Sequence, residues 1–279
     1  MNAIEVRGLR KAYKGQLAVD GLDLTVPPGE VFALLGPNGA GKTTTVEILE
    51  GFRRRDAGTV LVLGDDPATA GRDWRARLGI VLQSTGEFDD LTVAEVVHHF
   101  ARYYPRADDP DAVIARVGLD ERRASRTRTL SGGQKRRLDV ALGIIGRPEL
   151  LFLDEPTTGF DPHARQEFWQ LIRDLAASGT TILLTTHYLH EAEALADRVG
   201  VLCGGRLLAV APPGELGGRD SADAVVTWQG QDGPCQAVTD KPTALIASLA
   251  TGYGGEVPGL TVSRPTLEDV YLRMIGGAE

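Results

Sequence analysis

The run Val31-Phe32-Ala33-Leu34-Leu35-Gly36-Pro37-Asn38-Gly39-Ala40-Gly41-Lys42-Thr43-Thr44 decides the fold of this chain. Its first five residues are apolar without alternation, which suits a strand buried on both faces, as inside a parallel sheet. Residues 36–43 then fill the pattern G-x-x-x-x-G-K-[ST], and helix-compatible residues continue from Lys42 to about Glu50. Strand, glycine-rich loop and helix start, in that order, make a phosphate-binding loop. Its glycines let consecutive backbone N–H groups curl around a β-phosphate. Lys42 brings a compact cation toward the β- and γ-phosphates, and the Thr43 hydroxyl suits a magnesium ion. Pro37, Asn38, Ala40 and Thr44 complete the cradle.

Outward from this run the chain alternates. Toward the N-terminus, residues 4–26 form short stretches broken by Gly8, Gly15 and Gly21, which predicts small antiparallel strands. Toward the C-terminus, strands are expected at 59–63 and 79–83. Strand signals then vanish over residues 84–148, where helices are expected at 93–104, 111–117 and 134–145. Strand–helix alternation resumes over 150–202 and favours a parallel sheet with helices on its faces. After Pro212-Pro213-Gly214 the pattern weakens, with short strands and two helices. The expectation is an α/β phosphate-loop NTPase with a parallel-sheet core, an antiparallel β subdomain, a helical insert and a small C-terminal α+β appendage. Residues 1–215 would form the main domain and 216–279 the appendage.

Two further stretches carry chemistry. Leu130-Ser131-Gly132-Gly133-Gln134 places an N-cap residue and two glycines before a helix, a second anion-seeking helix start. One phosphate cradle already exists upstream, so this surplus points to a composite site. Leu150-Leu151-Phe152-Leu153-Asp154-Glu155 is an apolar strand ending in two carboxylates. Asp154 suits a magnesium ligand and Glu155 a general base that polarises water. The pair could also bind metal twice.

Composition narrows the class. The 279 residues are 42% hydrophobic, ample for a core, and the net charge of −8 weighs against a broad basic nucleic-acid face. The two cysteines, Cys203 and Cys235, lack metal-like spacing and fit a reducing compartment. The N-terminus enters a strand pattern without signal-peptide features, and no apolar run approaches the roughly 20 residues that span a bilayer. A cytoplasmic protein is expected, with any membrane role supplied by a partner.

Together these segments resemble the nucleotide-binding subunit of an ABC transporter over residues 4–211. Residues 36–43 are similar to its Walker A loop, 130–134 to its signature and 150–155 to its Walker B strand. The resemblance implies ATP and Mg2+ as ligands, with Thr43, Gln83 and Asp154 toward the metal. It implies that the signature of one subunit closes over ATP held by another, in a homodimer as the simpler case. Gln83 resembles the Q-loop glutamine that couples to the membrane partner, and His187 the switch histidine at the γ-phosphate. Tyr13 resembles the aromatic that stacks on adenine, although an ordinary strand tyrosine fits as well. Asp161 resembles the D-loop aspartate, which in that family crosses the dimer interface toward the partner subunit; Phe160 before it stands where the family commonly has leucine.

The remaining readings concern surroundings and subtype. Arg53-Arg54-Arg55 reads as a solvated loop. Arg122, Arg123, Arg126 and Arg128 read either as a solvated face or as a docking face for membrane subunits. The tail Pro265-Thr266-Leu267-Glu268-Asp269-Val270-Tyr271-Leu272 resembles the end of ABC-2-type exporter ATPases, including drug and antibiotic self-resistance systems. This implies separately encoded integral membrane permease subunits, a place on the cytoplasmic face of the membrane, and no nucleic-acid partner. An importer ATPase shares every catalytic motif. Non-transport ABC ATPases commonly carry two nucleotide-binding units or long coiled coils, which this sequence lacks.

Overall fold

Two long strands, β1 (Ile4–Tyr13) and β2 (Gln16–Val26), lead into the apolar run, which is β3 (Val31–Leu35) in the computed structural model. The phosphate loop feeds α1 (Lys42–Leu49), followed by β4 (Ala57–Val62), the single turn α2 (Arg72–Arg75) and β5 (Leu78–Val81). Next come α3 (Val93–Ala101), α4 (Pro110–Arg116) and α5 (Gly132–Ile144). The alternation resumes with β6 (Leu150–Asp154), α6 (Pro162–Ala177), β7 (Thr181–Thr186), α7 (Leu189–Leu195), β8 (Arg198–Cys203) and β9 (Arg206–Ala211). The structure describes residues 1–81, 88–230 and 233–276, in two units, Met1–Val210 and Ala211–Glu279.

The first unit is built on a six-stranded sheet of order β5-β6-β7-β3-β8-β9. Pairs β5–β6, β6–β7, β7–β3 and β3–β8 are parallel, with Leu35 opposite Thr186 and Val201. All five residues of β3 are buried, as the unalternated run requires. A second sheet, β2-β1-β4, is antiparallel. Its inward residues Ile4, Val6, Leu9, Leu22, Leu24, Val60 and Val62 join Phe32, Leu34, Ile48, Leu49 and Phe152 in one core. Each such buried side chain contributes about 1.5–3 kcal/mol, enough to clamp α1 between the two sheets.

Local detail departs from expectation in three places. Gly8 (φ 60°) and Gly21 (φ 70°) do not end strands; they sit at register shifts inside continuous ones, where a bulge needs a left-handed residue. β9 and α2 carry too little pattern to be anticipated. α5 begins at Gly132, two residues earlier than expected, because Ser131 forms a capping box with Gln134.

The insert between β5 and β6 is helical among its described residues. α3 opens on a capping box of Thr92 and Glu95, and buries Val93, Val96 and Val97 at one-face spacing. α5 buries Leu138 through Ile144 and packs on β5.

The second unit contains β10 (Ala224–Gly230), β11 (Gly233–Thr239), α8 (Pro242–Tyr253), β12 (Thr261–Ser263) and α9 (Leu267–Gly276). Its antiparallel sheet has the order β11-β10-β12. Thr266 and Asp269 cap α9 reciprocally, and α9 buries Leu267 and Val270.

Candidate functional site

The phosphate loop is shaped by what its glycines exclude. A Cβ on Gly36 would lie 2.3 Å from the Leu202 carbonyl oxygen, and one on Gly41 would lie 2.2 Å from that of Ala18. Gly41 also has φ 103°, a conformation side chains resist. No side chain caps α1, so its first amides face the loop, and the helix dipole adds to their pull on an anion. Lys42 is folded back over the loop, its Nζ donating to the carbonyls of Gly36 at 2.7 Å and Pro37 at 3.2 Å. Burial lowers the Lys42 pKa, and the charges of Glu155 and Asp154 oppose this. Thr43 is exposed and Thr44 half-buried at the helix start.

β6 delivers the two carboxylates where β7 supports them. Asp154 accepts a hydrogen bond from the Thr185 hydroxyl. The Glu155 amide donates to the Thr185 carbonyl at 3.1 Å and lies 3.2 Å from its hydroxyl. Glu155 has φ 44°, a left-handed conformation that costs a non-glycine residue about 1–3 kcal/mol. The turn aims its side chain at His187, whose Nδ1 stands 3.1 Å from Oε1. The carboxylate is 14% exposed and the imidazole 37%. A half-sheltered acid bonded to a partly open histidine, beside a phosphate-loop lysine, can orient and deprotonate water.

The serine-diglycine stretch is built differently. The Ser131 hydroxyl accepts from the Gln134 amide at 3.2 Å, and Gln134 Oε1 accepts from the Ser131 amide at 3.1 Å. That hydroxyl keeps its own proton to donate. A Cβ on Gly132 would meet nothing within 4 Å. α5 packs on β5, three strands from β3, a lateral separation of about 14 Å. Among the described residues no hydrogen bond or ion pair joins 130–134 to 36–44.

Comparison with known proteins decides the family. Residues 19–158 match the ABC transporter family model. The daunorubicin/doxorubicin resistance ATP-binding protein DrrA of Streptomyces peucetius is 45% identical over 98% of this chain and 92% of its own length. The Nod factor export ATP-binding protein I of Paraburkholderia xenovorans (strain LB400) is 42% identical over 98% and 97%. The solved structure of cbiO1 from Clostridium perfringens, part of the ABC transporter complex cbiONQ, superposes with a TM-score of 0.70 at 29% identity, covering 77% of this chain and 90% of that one.

The chain belongs to the ABC transporter family. It is an ATP-binding ATPase subunit coupled to transport, close to the drug- and Nod-factor-export subunits. Among the described residues no helix is long and apolar enough to cross a membrane.

The other expected ABC positions fall as follows. Gln83 lies outside the described residues. The Tyr13 ring is 38% exposed at the end of β1, with Lys11 Nζ 5.6 Å and the Arg53 guanidinium 5.2 Å from its centroid. Asp161 caps α6, accepting from the amides of His163 and Ala164, both at 3.0 Å, and these bonds hold its pKa down. Arg53 to Arg55 lie in a largely exposed loop with Arg54 open to solvent, while Arg53 pairs with Glu47 and Arg55 grips Asp66 through two bonds. Of the arginines before the signature, Arg123 pairs with Asp111, while Arg126 and Arg128 share Asp90.

Several working residues escaped the motif reading. Thr185 holds both Walker B carboxylate residues. Arg136, buried on α5, donates to the carbonyls of Asp154 at 2.6 Å and Pro156 at 3.1 Å, and so joins the signature helix to the Walker B end. Burial lowers its pKa against the pull of Asp139, Asp154 and Glu191. The sequence signal available was a charged residue on the inward face of α5, and a threonine pair closing an otherwise apolar strand.

Proposed function

We propose that two copies of this chain pair head to tail, each phosphate loop closed by the other copy's Ser131 and Gly133, and that this cycle drives an ABC-2-type exporter of a hydrophobic drug-like compound. The observation that carries the reading is the contrast between the two helix starts: one a closed cradle, the other open outward and three strands away. An anion site with no nucleotide of its own suits a nucleotide brought by a second subunit.

Within the closed pair, Lys42 and the amides at the start of α1 hold the phosphates. The donor set fits Mg2+, a hard ion that keeps water and takes one or two protein oxygens beside phosphate: the Thr43 hydroxyl and Asp154, to which the family resemblance adds Gln83. When bound, the ion neutralises charge on the β- and γ-phosphate oxygens. Glu155 takes the proton from the attacking water, and His187 steadies Glu155 while contacting the γ-phosphate. Loss of that phosphate removes most closing contacts and reopens the pair. Separately encoded permease subunits place the ATPase on the cytoplasmic face of the membrane, where docking is read out through the region of Gln83. The drug-resistance and Nod-factor relatives support export, as does the ABC-2-type resemblance of the tail Pro265 to Leu272.

Mixing two inactive chains tests the shared site. Lys42→Ala spoils a cradle and Ser131→Ala spoils a signature, yet a mixed pair regains one site with both halves intact. ATPase activity returning on mixing supports the reading; a mixture as dead as its parts refutes it.

A further inference from the structure

Glu191 lies on α7, four residues beyond His187, and is wholly buried. Its Oε1 accepts from the Thr157 hydroxyl at 2.8 Å, and Thr157 is itself fully buried. Thr157 belongs to the segment that runs from the Walker B end to Asp161. Burial raises the Glu191 pKa, and the nearby polar groups of Thr186, Thr157 and Trp169 and the charge of Arg165 act in the opposite direction. Its second oxygen, Oε2, and the Trp169 indole N–H are both buried and make no direct hydrogen bond. A second tie runs parallel to the first. Arg165 Nη2 donates to the Phe160 carbonyl at 3.3 Å, and its guanidinium sits 5.5 Å from the Tyr188 ring centroid. The Tyr188 ring in turn rests 4.0 Å from that of His187.

A buried carboxyl is an expensive way to fill space, and leucine would pack the same volume at lower cost. What a carboxyl offers is a directional bond between two segments separated by thirty-four residues. We propose that Glu191 is a positioning residue that fastens the segment 156–161 to the segment 186–188, so that His187 is set for catalysis by the placement of Thr157 and Asp161. This rests on the two-subunit reading above, in which Asp161 faces the partner. Docking of the partner then reaches His187 through Thr157 and Glu191 rather than through nucleotide alone. The first tie couples positions; the second, through Arg165, keeps the ring of Tyr188 against His187.

The test uses full-length protein and reads turnover, ATP affinity and ATP-dependent pairing separately. Glu191→Ala lowers kcat about tenfold to a hundredfold, the cost of a small misplacement remote from the chemistry, while ATP affinity stays at the wild-type value. Glu191→Gln, which keeps an acceptor for Thr157, restores most of the rate. Thr157→Val, a smaller change that covers the case of an unfolded alanine variant, also lowers kcat at unchanged affinity. Its combination with Glu191→Ala is no worse than Glu191→Ala alone, because both remove the same bond. Wild-type turnover in Thr157→Val, a glutamine variant as poor as alanine, or affinity falling in step with kcat overturns the proposal. Pairing is followed in Glu155→Gln and in Glu155→Gln with Glu191→Ala. Failure of the single variant to pair defeats the two-subunit reading, whereas normal pairing with undiminished turnover in Glu191→Ala and Thr157→Val defeats the positioning role alone.

Discussion

The starts of α1 and α5 present the same helix dipole to an anion but are finished in opposite ways. At α1 no side chain caps the helix, Gly41 is left-handed, and neighbouring carbonyls forbid a side chain on Gly36 or Gly41. At α5 a serine and a glutamine satisfy the amides reciprocally, and the space around Gly132 is empty. The first is a socket cut to fit its guest. The second is self-sufficient until something arrives, with a spare hydroxyl proton to offer. Burial and backbone strain are concentrated at the start that cradles phosphate within one chain, and absent at the start that the proposed pairing would bring to a second.

The largest expected effect comes from trapping the two starts together. Glu155→Gln should reduce turnover by about 10²–10⁴-fold, the usual weight of a general base, while retaining ATP and accumulating as a nucleotide-bound pair on size-exclusion chromatography. Hydrolysis at the wild-type rate would sink the base assignment. Ser131→Ala comes next. It should cut turnover about 10²–10³-fold, as loss of one transition-state donor does. It should lower helix stability by about 0.5–2 kcal/mol and leave ATP titration of the isolated subunit unchanged. Weakened binding in the monomer would mean that the two starts act within one chain.

A matched glycine pair sharpens the contrast further. Gly41→Ala should lose ATP affinity and about 1–3 kcal/mol of stability in urea, since its Cβ collides with backbone at a left-handed residue. Gly132→Ala should fold with unchanged or slightly raised stability. Equal losses in both would erase the distinction.

A last effect, on stability alone, concerns the far end of α1. Glu50 caps it, and burial, with the charges of Asp154 and Glu47, raises its carboxyl from 4.5 to about 8. The folded protein therefore holds a proton that the unfolded chain releases. This contribution to stability is complete below 4.5 and disappears as pH rises through about 8. The melting temperature should fall across that window, and Glu50→Gln should flatten the fall; parallel curves would exclude Glu50 as its source.

Much of this was legible in sequence because some patterns have few physical solutions. Five apolar residues before G-x-x-x-x-G-K-T leave little room for anything but a buried strand feeding a phosphate loop, and Asp161-Pro162 marks the start of α6 to the residue. The start of α5 was misjudged because two glycines look unhelical until the Ser131–Gln134 box is considered. β9 was missed because an edge strand with one half-buried face carries a faint signal. Thr157 and Glu191 were invisible, and Arg136 showed only as a charge on the inward face of α5, for a different reason. Each is a buried polar group, and only three-dimensional neighbours separated by 18 to 34 positions reveal their use.

The outer wall of the phosphate cradle has a consequence in time. Its carbonyl from Leu202 sits on β8, and the Gly205 amide donates to the Ala40 carbonyl at 3.0 Å. β3 itself lies between β7 and β8, strands encoded some 150 residues downstream. A nascent chain thus displays its nucleotide motif early and cannot assemble it until residue 205 has emerged. At roughly 5–20 residues per second, that is a wait of roughly 8–32 seconds on the ribosome. During that wait β3 has neither of its strand partners and only the antiparallel sheet and α1 to cover it.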